Sequence, residues 1–143
     1  MPIETVHAGF TISDDPSRLD LGAIHAYLAR SYWAAGRSRE IVARSLENSL
    51  CVGLYAPSGE QIGLARVISD YATFAYLCDV YVLEAHRRRG LAKAALRFIE
   101  THPLLQSVRY FHLLTQDAHS LYAHCGFTPL AQPERHMQRR APS

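Results

Sequence analysis

The feature of this 143-residue sequence that most constrains its fold is a short basic loop between an alternating apolar run and an amphipathic segment. The apolar run ends at Val82, the loop is Arg87-Arg88-Arg89-Gly90, and the amphipathic segment begins at Leu91. This order predicts a strand, a turn and a helix. The first N–H groups of a helix lack carbonyl partners and carry partial positive charge, so they bind phosphate oxygens. Because Gly90 permits a close approach and the arginines add donors, we predict a phosphate-bearing ligand at residues 87–92.

Length, charge and cysteine usage narrow the class of protein. A chain of this length is expected to form one domain, residues 1–143. The balance of 15 Lys and Arg against 13 Asp and Glu gives a net charge of only +2, which does not indicate a nucleic-acid or membrane partner. Cys51, Cys78 and Cys125 favour buried reduced thiols over a disulfide or metal site. With no leader pattern and no membrane-length apolar run, we expect a cytoplasmic protein without a metal.

Hydrophobic periodicity predicts the elements of the N-terminal half. Residues 5–13 predict one strand, and two helices follow it, capped by Asp20 and Ser38. The period then changes to alternation. Residues 50–56 and 61–69 predict a hairpin, and residues 73–82 predict a third consecutive strand.

The C-terminal half predicts a helix after Gly90, a strand within 109–114, and a short helix over 118–124 that Asp117 caps. Further strands are predicted at 127–130 and near 136–138. The fold class is therefore α/β (α+β), with a mixed, largely antiparallel sheet flanked by about four helices. A helical crossover returns its strand in parallel, and two neighbouring parallel strands can splay to admit a ligand.

Three segments in this order resemble motifs of the GNAT superfamily of acyl-CoA-dependent N-acyltransferases. Residues 77–82, Leu-Cys-Asp-Val-Tyr-Val, resemble the family's fourth strand. Residues 87–92 resemble its signature of Gln or Arg, two residues, Gly, one residue, and Gly or Ala. Residues 120–127, Ser-Leu-Tyr-Ala-His-Cys-Gly-Phe, resemble its Leu-Tyr-x-x-x-Gly-Phe segment. The chain departs from the commoner pattern at Arg87, where glutamine is usual, and at Ala92, where glycine is usual.

The resemblance implies that acetyl-CoA is the co-substrate, bound where the sheet splays. Main-chain N–H groups from about Arg88 to Ala92 would hold the pyrophosphate, and the strand backbone would pair with the pantetheine arm. The cofactor-binding residues implied are Val80, Val82, Arg87, Arg88, Arg89, Gly90, Leu91 and Ala92. Two alternatives to a cofactor site are open for the three arginines at residues 87–89: a solvated charged surface, or a patch that binds nucleic acid.

Five side chains are candidates for the chemistry or for binding the acceptor. Tyr122 resembles the family's general acid, and its reference pKa of about 10 keeps it protonated at neutral pH; the alternative is a core tyrosine. Alternation places Asp79 on the strand face opposite Val80, toward the two N-terminal helices. Asp79 is a candidate base or amine anchor, or a structural carboxylate paired with an arginine. Tyr32 and Trp33 line the acceptor pocket or pack as core, and His112 is a weaker base candidate.

The function implied is direct transfer of acetyl from acetyl-CoA to a primary amine of a small molecule, peptide or protein. The alternative is an acyl-CoA-binding or sensing module without efficient catalysis. The resemblance also leaves a homodimer open.

Overall fold

The computed structural model describes residues 1–142. These residues form one six-stranded sheet and four α-helices. The strands are β1 (Glu4–His7), β2 (Phe10–Ser13), β3 (Leu50–Tyr55), β4 (Gln61–Ser69), β5 (Phe74–Val82) and β6 (Tyr110–His112). The helices are α1 (Leu21–Ala29), α2 (Arg39–Glu47), α3 (Leu91–Glu100) and α4 (His119–His124). Spatial order follows chain order, and every neighbouring pair is antiparallel except β5 and β6. The predicted mixed, largely antiparallel sheet is confirmed.

Different helices cover the two faces of the sheet, because side chains alternate along each strand. Leu64 of β4 packs with α1 and α2, whereas its neighbour Ala65 packs with α3. On the α1 and α2 face, the buried side chains include Ile24, Leu28, Val42, Leu64 and Tyr81. On the α3 face, they include Val52, Val67, Leu77, Leu91, Ala95, Phe98 and Ile99.

The predicted caps of the first two helices are confirmed. The Asp20 side chain accepts the N–H of Ala23 at 3.0 Å, and Ser38 Oγ accepts the N–H of Ile41 at 3.2 Å. Each bond satisfies one of the N–H groups that a helix start leaves without a partner. Within residues 1–142, no helix combines the length and apolar character needed to cross a membrane.

The single strand predicted over residues 5–13 is wrong, because the chain reverses there to form the β1–β2 hairpin. His7 pairs with Phe10, and Ala8 and Gly9 between them have φ of 51° and 83°. Positive φ at both central residues is typical of a two-residue type I′ turn. Alanine is uncommon at such φ, so Gly9 was the one turn signal in an otherwise alternating run.

The strands predicted at 127–130 and 136–138 are also wrong, since neither segment joins the sheet. The chain bends at Gly126, with φ 92°, and the Phe127 N–H returns to the Tyr122 carbonyl at 3.0 Å. This bond caps the end of α4 in place of strand pairing.

The start of α4 differs from the prediction in its cap. Asp117 makes no cap, and the helix begins after Ala118. The Ala118 N–H binds Thr115 Oγ1 at 3.0 Å, which fixes the turn that leads into the helix.

Candidate active site

β5 and β6 separate after three residue pairs, which opens the sheet. The pairs are Phe74 with Tyr110, Ala75 with Phe111, and Tyr76 with His112. β5 continues to Val82, whereas the chain leaves the sheet after His112. Within residues 1–142, the backbone of residues 77–82 therefore has a strand partner on the β4 side only. An unpaired strand edge offers main-chain donors and acceptors to an extended ligand.

A β-bulge lies in this unpaired stretch of β5. Leu64 pairs with Tyr81 and Arg66 pairs with Cys78, so Asp79 and Val80 together oppose a single residue of β4. Asp79 has φ 51°, a left-handed conformation uncommon for residues other than glycine. The contacts of Asp79 lie toward α1 and α2, and Val80 packs against the α3 core, as the alternation predicted. The bulge itself was not predicted.

Asp79 is a buried carboxylate, 3% exposed, with three side chains donating to it. Trp33 Nε1 donates to Oδ1 at 2.8 Å, and Arg66 Nε donates to Oδ2 at 2.8 Å. Arg37 Nη1 lies 3.0 Å from Oδ1 and 2.9 Å from Oδ2. A buried charge needs such partners, because burial removes its hydration. The contacts match the arginine-paired carboxylate that the sequence left open, while the base or amine-anchor role stays a prediction.

Sequence reasoning missed both arginines of this cluster. Arg66 is 6% exposed and lies within the buried run of β4, where its Nη1 also donates to Ser49 Oγ at 2.9 Å. A charged residue inside an apolar strand is a signal for a buried partner, and it could have been used. Arg37 lies in the loop between α1 and α2, and its sequence context carries no comparable signal.

Tyr32 and Trp33 lie in the same loop and reach opposite sides of the opening. The Tyr32 hydroxyl accepts the N–H of Gln116, in the segment before α4, at 3.1 Å. The Trp33 ring packs edge-on against the Tyr32 ring at 5.2 Å and donates to Asp79 of β5. The two side chains predicted to line an acceptor pocket are therefore brought together between β5 and the approach to α4. Their role in binding an acceptor stays a prediction.

The predicted phosphate loop follows β5 after one 3₁₀ turn at Glu84–His86. Arg88 and Gly90 have φ of 65° and 72°, and Gly90 is the N-cap residue immediately before α3. Ala94 is the first residue of the helix whose N–H reaches a carbonyl, that of Gly90 at 3.0 Å. Within residues 1–142, the N–H groups of residues 88–93 thus have no main-chain acceptor. Because buried Leu91 anchors the helix start, these donors are held in place for an anion.

The three arginines of the loop are not equivalent. Arg87 holds the loop to the protein, since its Nε donates to the Val82 carbonyl at 2.9 Å and its Nη2 to the Tyr27 hydroxyl at 3.0 Å. The side chains of Arg88 and Arg89 are exposed at the helix start. The Arg89 carbonyl lies 3.1 Å from His7 Nε2, so the β1–β2 hairpin supports the loop from its other side. A direct contact of Arg87 with a ligand stays a prediction.

Tyr122 is fixed by the way α4 ends. The Phe127 N–H binds the Tyr122 carbonyl and the Gly126 N–H binds the Ala123 carbonyl, which is the bond pattern of a Schellman cap. The rings of Tyr122 and Phe127 pack edge-on at 5.9 Å. The spacing of tyrosine, glycine and phenylalanine in the C-terminal motif therefore has a structural cause.

The Tyr122 hydroxyl has a strongly perturbed environment. Burial first, and then neighbouring Tyr32, Asp117 and Cys125, raise the pKa of Tyr122 to about 12. A phenol is protonated below its pKa, so this hydroxyl is a proton donor throughout the neutral range.

The remaining titratable groups near the opening are weaker candidates for a base, a nucleophile or a metal ligand. The His112 ring lies against Phe74 at 4.8 Å and His136 at 5.4 Å, at the paired end of β5 and β6. Burial raises the pKa of the Cys78 thiol to about 11 and that of Cys51 to about 12, so both are weak nucleophiles at neutral pH. Within residues 1–142, no three His, Cys, Asp or Glu side chains are grouped so as to hold a metal ion.

A family model described as the Acetyltransferase (GNAT) family matches residues 10–127. This match spans most of the chain and includes the β5 edge, the loop and Tyr122. The chain belongs to the GNAT acetyltransferase family, which confirms the resemblance.

Individual relatives agree with this assignment. A protein of Gibberella zeae, named as an inferred acetyltransferase, is 30% identical over 143 residues, covering 85% of this chain and 80% of that protein. A crystal structure of a GNAT-family protein from Xanthomonas campestris pv. campestris, also named as an inferred acetyltransferase, is 46% identical with a TM-score of 0.91, covering 96% of both chains. Glucosamine-6-phosphate N-acetyltransferase from Arabidopsis thaliana is 16% identical, with a TM-score of 0.67 over 93% of this chain and 97% of that chain, a likeness of fold alone.

Proposed function

We propose that this protein transfers the acetyl group of acetyl-CoA directly to a primary amine, without a covalent enzyme intermediate. One juxtaposition carries the proposal: the unpaired edge of residues 77–82 is followed, after one 3₁₀ turn at Glu84–His86, by the free N–H groups of residues 88–93. An extended amide-bearing arm suits a strand edge, and a pyrophosphate suits a helix start. Membership of the GNAT family makes acetyl-CoA the expected donor.

The residues at the loop fit the pyrophosphate. A Cβ on Gly90 would lie 3.3 Å from His7 Nε2, so the glycine keeps the space between the hairpin and the helix start clear. Arg88 and Arg89 add exposed positive charge at the same helix start, and the Arg89 guanidinium lies 5.6 Å from the centre of the Phe10 ring. The space kept clear by Gly90 and the positive charge of the two arginines both favour binding of a doubly charged ligand over binding of a singly charged ion.

In the proposed reaction, the amine nitrogen bonds to the thioester carbonyl carbon and the carbon–sulfur bond breaks. The departing sulfur takes a proton from Tyr122, and the amine loses one. A main-chain N–H of β5 near Val80 or Tyr81 stabilises the carbonyl oxygen as charge develops. The Tyr122 hydroxyl has a proton to give at neutral pH, since burial raises its pKa to about 12, and transfer depends on the charge that develops on the sulfur.

Removal of the amine proton is the second requirement. An alkylamine with a pKa of about 10.4 is only about a thousandth neutral at pH 7, which amounts to roughly 4 kcal/mol. The oxygens of Asp79 already accept from Trp33, Arg37 and Arg66. We therefore propose that water in the opening takes the proton from the amine, and that Asp79 positions Arg37 and Trp33.

The test is to incubate the protein with acetyl-CoA and a panel of amines, and to measure free thiol together with the mass of the acetylated product. Amine-dependent thiol release, retained in the Cys78→Ala and Cys125→Ala variants, supports direct transfer. Binding of acetyl-CoA without thiol release for any amine would favour the acyl-CoA-sensing module. Failure to bind acetyl-CoA would overturn both.

A further inference from the structure

We propose that the acceptor is a small amino carboxylic acid whose carboxylate binds the free edge of the Arg37 guanidinium. The proposal rests on the proposed function, because it names the class of amine that the same site takes. It starts from Arg37, which the family motifs do not include.

The Arg37 side chain uses only one of its three nitrogens within the protein. Nη1 donates to both oxygens of Asp79, whereas Nε and Nη2 have no acceptor within residues 1–142. Neither nitrogen is enclosed, since the buried polar side-chain atoms without a partner are Tyr55 Oη and His86 Nδ1. The Nε–Nη2 edge is the pair of parallel donors that binds a carboxylate in bidentate fashion.

The net charge of the cluster formed by Arg37, Arg66 and Asp79 also favours the binding of an anion. Arg37 and Arg66 contribute two positive charges against the single negative charge of Asp79. Burial raises the pKa values of Cys51, Cys78 and Tyr76, so these neighbours stay neutral at pH 7 and do not offset the surplus. A surplus charge in a partly buried cluster attracts a counter-ion and repels a second ammonium group. Simple diamines are therefore disfavoured acceptors.

Arg37 is connected through Asp79 to the stretch of β5 where the reaction is proposed to take place. Nη1 is bonded to Asp79, which lies in the bulge of β5 a few residues beyond the point where β6 departs. The proposal places the carboxylate of the acceptor on Arg37 and its amine beside the unpaired stretch of β5. Trp33 donates to the same carboxylate of Asp79 and is 37% exposed, and the proposal assigns its ring to the carbon skeleton of the acceptor.

The size of the acceptor is limited by Tyr32. Its hydroxyl bonds to the Gln116 N–H, so this side chain bridges from the α1–α2 loop to the segment before α4. A bridge across the opening leaves less room for a folded protein surface than for a free amino acid. We therefore assign a small amino carboxylic acid in preference to a protein lysine.

The experiment uses matched sets that differ only at the carboxylate: glycine, glycinamide and methylamine; β-alanine, β-alaninamide and ethylamine; lysine, lysinamide and cadaverine. Binding to the protein with CoA present is measured by ligand-observed NMR, and thiol release with acetyl-CoA is measured in parallel. We expect each carboxylate member to bind at least about tenfold more tightly than its amide or amine, a typical gain for a charge-assisted bidentate pair. Equal binding across each set would overturn the proposal.

Variants assign the effect to Arg37. The Arg37→Gln variant should lose the carboxylate preference, and Arg37→Lys, which keeps a cation beside Asp79 but lacks the Nε–Nη2 edge, should lose most of it. The matched control is Arg44→Gln, which removes an exposed arginine of α2 and should leave the preference unchanged. A preference that survives in folded Arg37→Gln would contradict the assignment. Competition by propionate but not by propionamide on the unmodified protein tests the same point without a variant.

The two readouts separate this inference from the proposed function. Carboxylate-dependent binding without thiol release from any set would support the inference and oppose acetyl transfer. Thiol release that is equal for acids, amides and amines would support acetyl transfer and oppose the inference.

Discussion

Arg66 and Asp79 meet inside the protein, with Nε 2.8 Å from Oδ2, where the bulge of β5 faces β4. The Asp79 side chain is 1% exposed and that of Arg66 is 8% exposed, so neither charge is solvated by bulk water. The pair lies at the bulge of β5, where Asp79 has the left-handed φ of 51°. It thereby links the core to the stretch of strand that opens toward a ligand.

Removing this carboxylate should destabilise the protein. The Asp79→Ala change leaves Arg66 buried without a counter-charge, and we expect the free energy of unfolding to fall by about 3 kcal/mol or more. Urea denaturation measures this change. The matched control is Glu40→Ala, which breaks the exposed pair with Arg44 on α2 and should change stability by less than about 0.5 kcal/mol. Equal effects of the two changes would contradict the buried-pair account.

The loop glycine should matter for acetyl-CoA binding. Gly90 has φ 72°, and a Cβ there would lie 3.3 Å from His7 Nε2, so Gly90→Ala should displace the N–H groups of the helix start. We expect the dissociation constant for acetyl-CoA to rise about tenfold, which corresponds to about 1.4 kcal/mol. Isothermal titration calorimetry provides the measurement.

Gly59 supplies the control for that change. It has φ 93° in the β3–β4 turn, with open space where an added Cβ would lie, so Gly59→Ala introduces similar backbone strain far from the loop. Its acetyl-CoA affinity should equal that of the unmodified protein. If both variants lost affinity alike, general destabilisation would explain the result.

Loss of the Tyr122 hydroxyl should slow the chemical step alone. We expect Tyr122→Phe to bind acetyl-CoA normally, because the ring still packs against Phe127, and to lower kcat by about 10² to 10⁴. Tyr110→Phe, at an exposed tyrosine of β6, should leave kcat unchanged. An undiminished rate in Tyr122→Phe would remove the acid role.

The pH dependence follows from the raised pKa of Tyr122, to about 12. A phenol is protonated below its pKa, so the proton donor stays intact well into the alkaline range. Meanwhile the neutral fraction of an alkylamine acceptor rises with pH toward its own pKa of about 10.4. We expect kcat/KM to rise with pH through this range without an alkaline decline. A decline near pH 9 that disappears in Tyr122→Phe would contradict the raised pKa.

Local patterns were enough for most of the elements and for the loop. Asp20 and Ser38 cap their helices as predicted, because capping depends on neighbours within three residues. The helix predicted after Gly90 likewise begins at Leu91. The predictions failed where local signals are ambiguous. Alanine is uncommon in a turn such as that of the β1–β2 hairpin, so Ala8 gave no sign of it. A strand was predicted at Phe127, whose N–H instead bonds to the last turn of α4.

The sequence by itself determined the family, the strand–loop–helix motif and the identity of Tyr122 as a candidate acid, because each depends on residue types at short fixed spacing. Only the tertiary structure decided what surrounds Asp79. Arg37 and Arg66 are 42 and 13 residues away from it along the chain, and no periodic pattern relates them. Long-range ion pairs depend on which helix loop and which strand pack together, so the buried charge cluster emerged only from the folded chain.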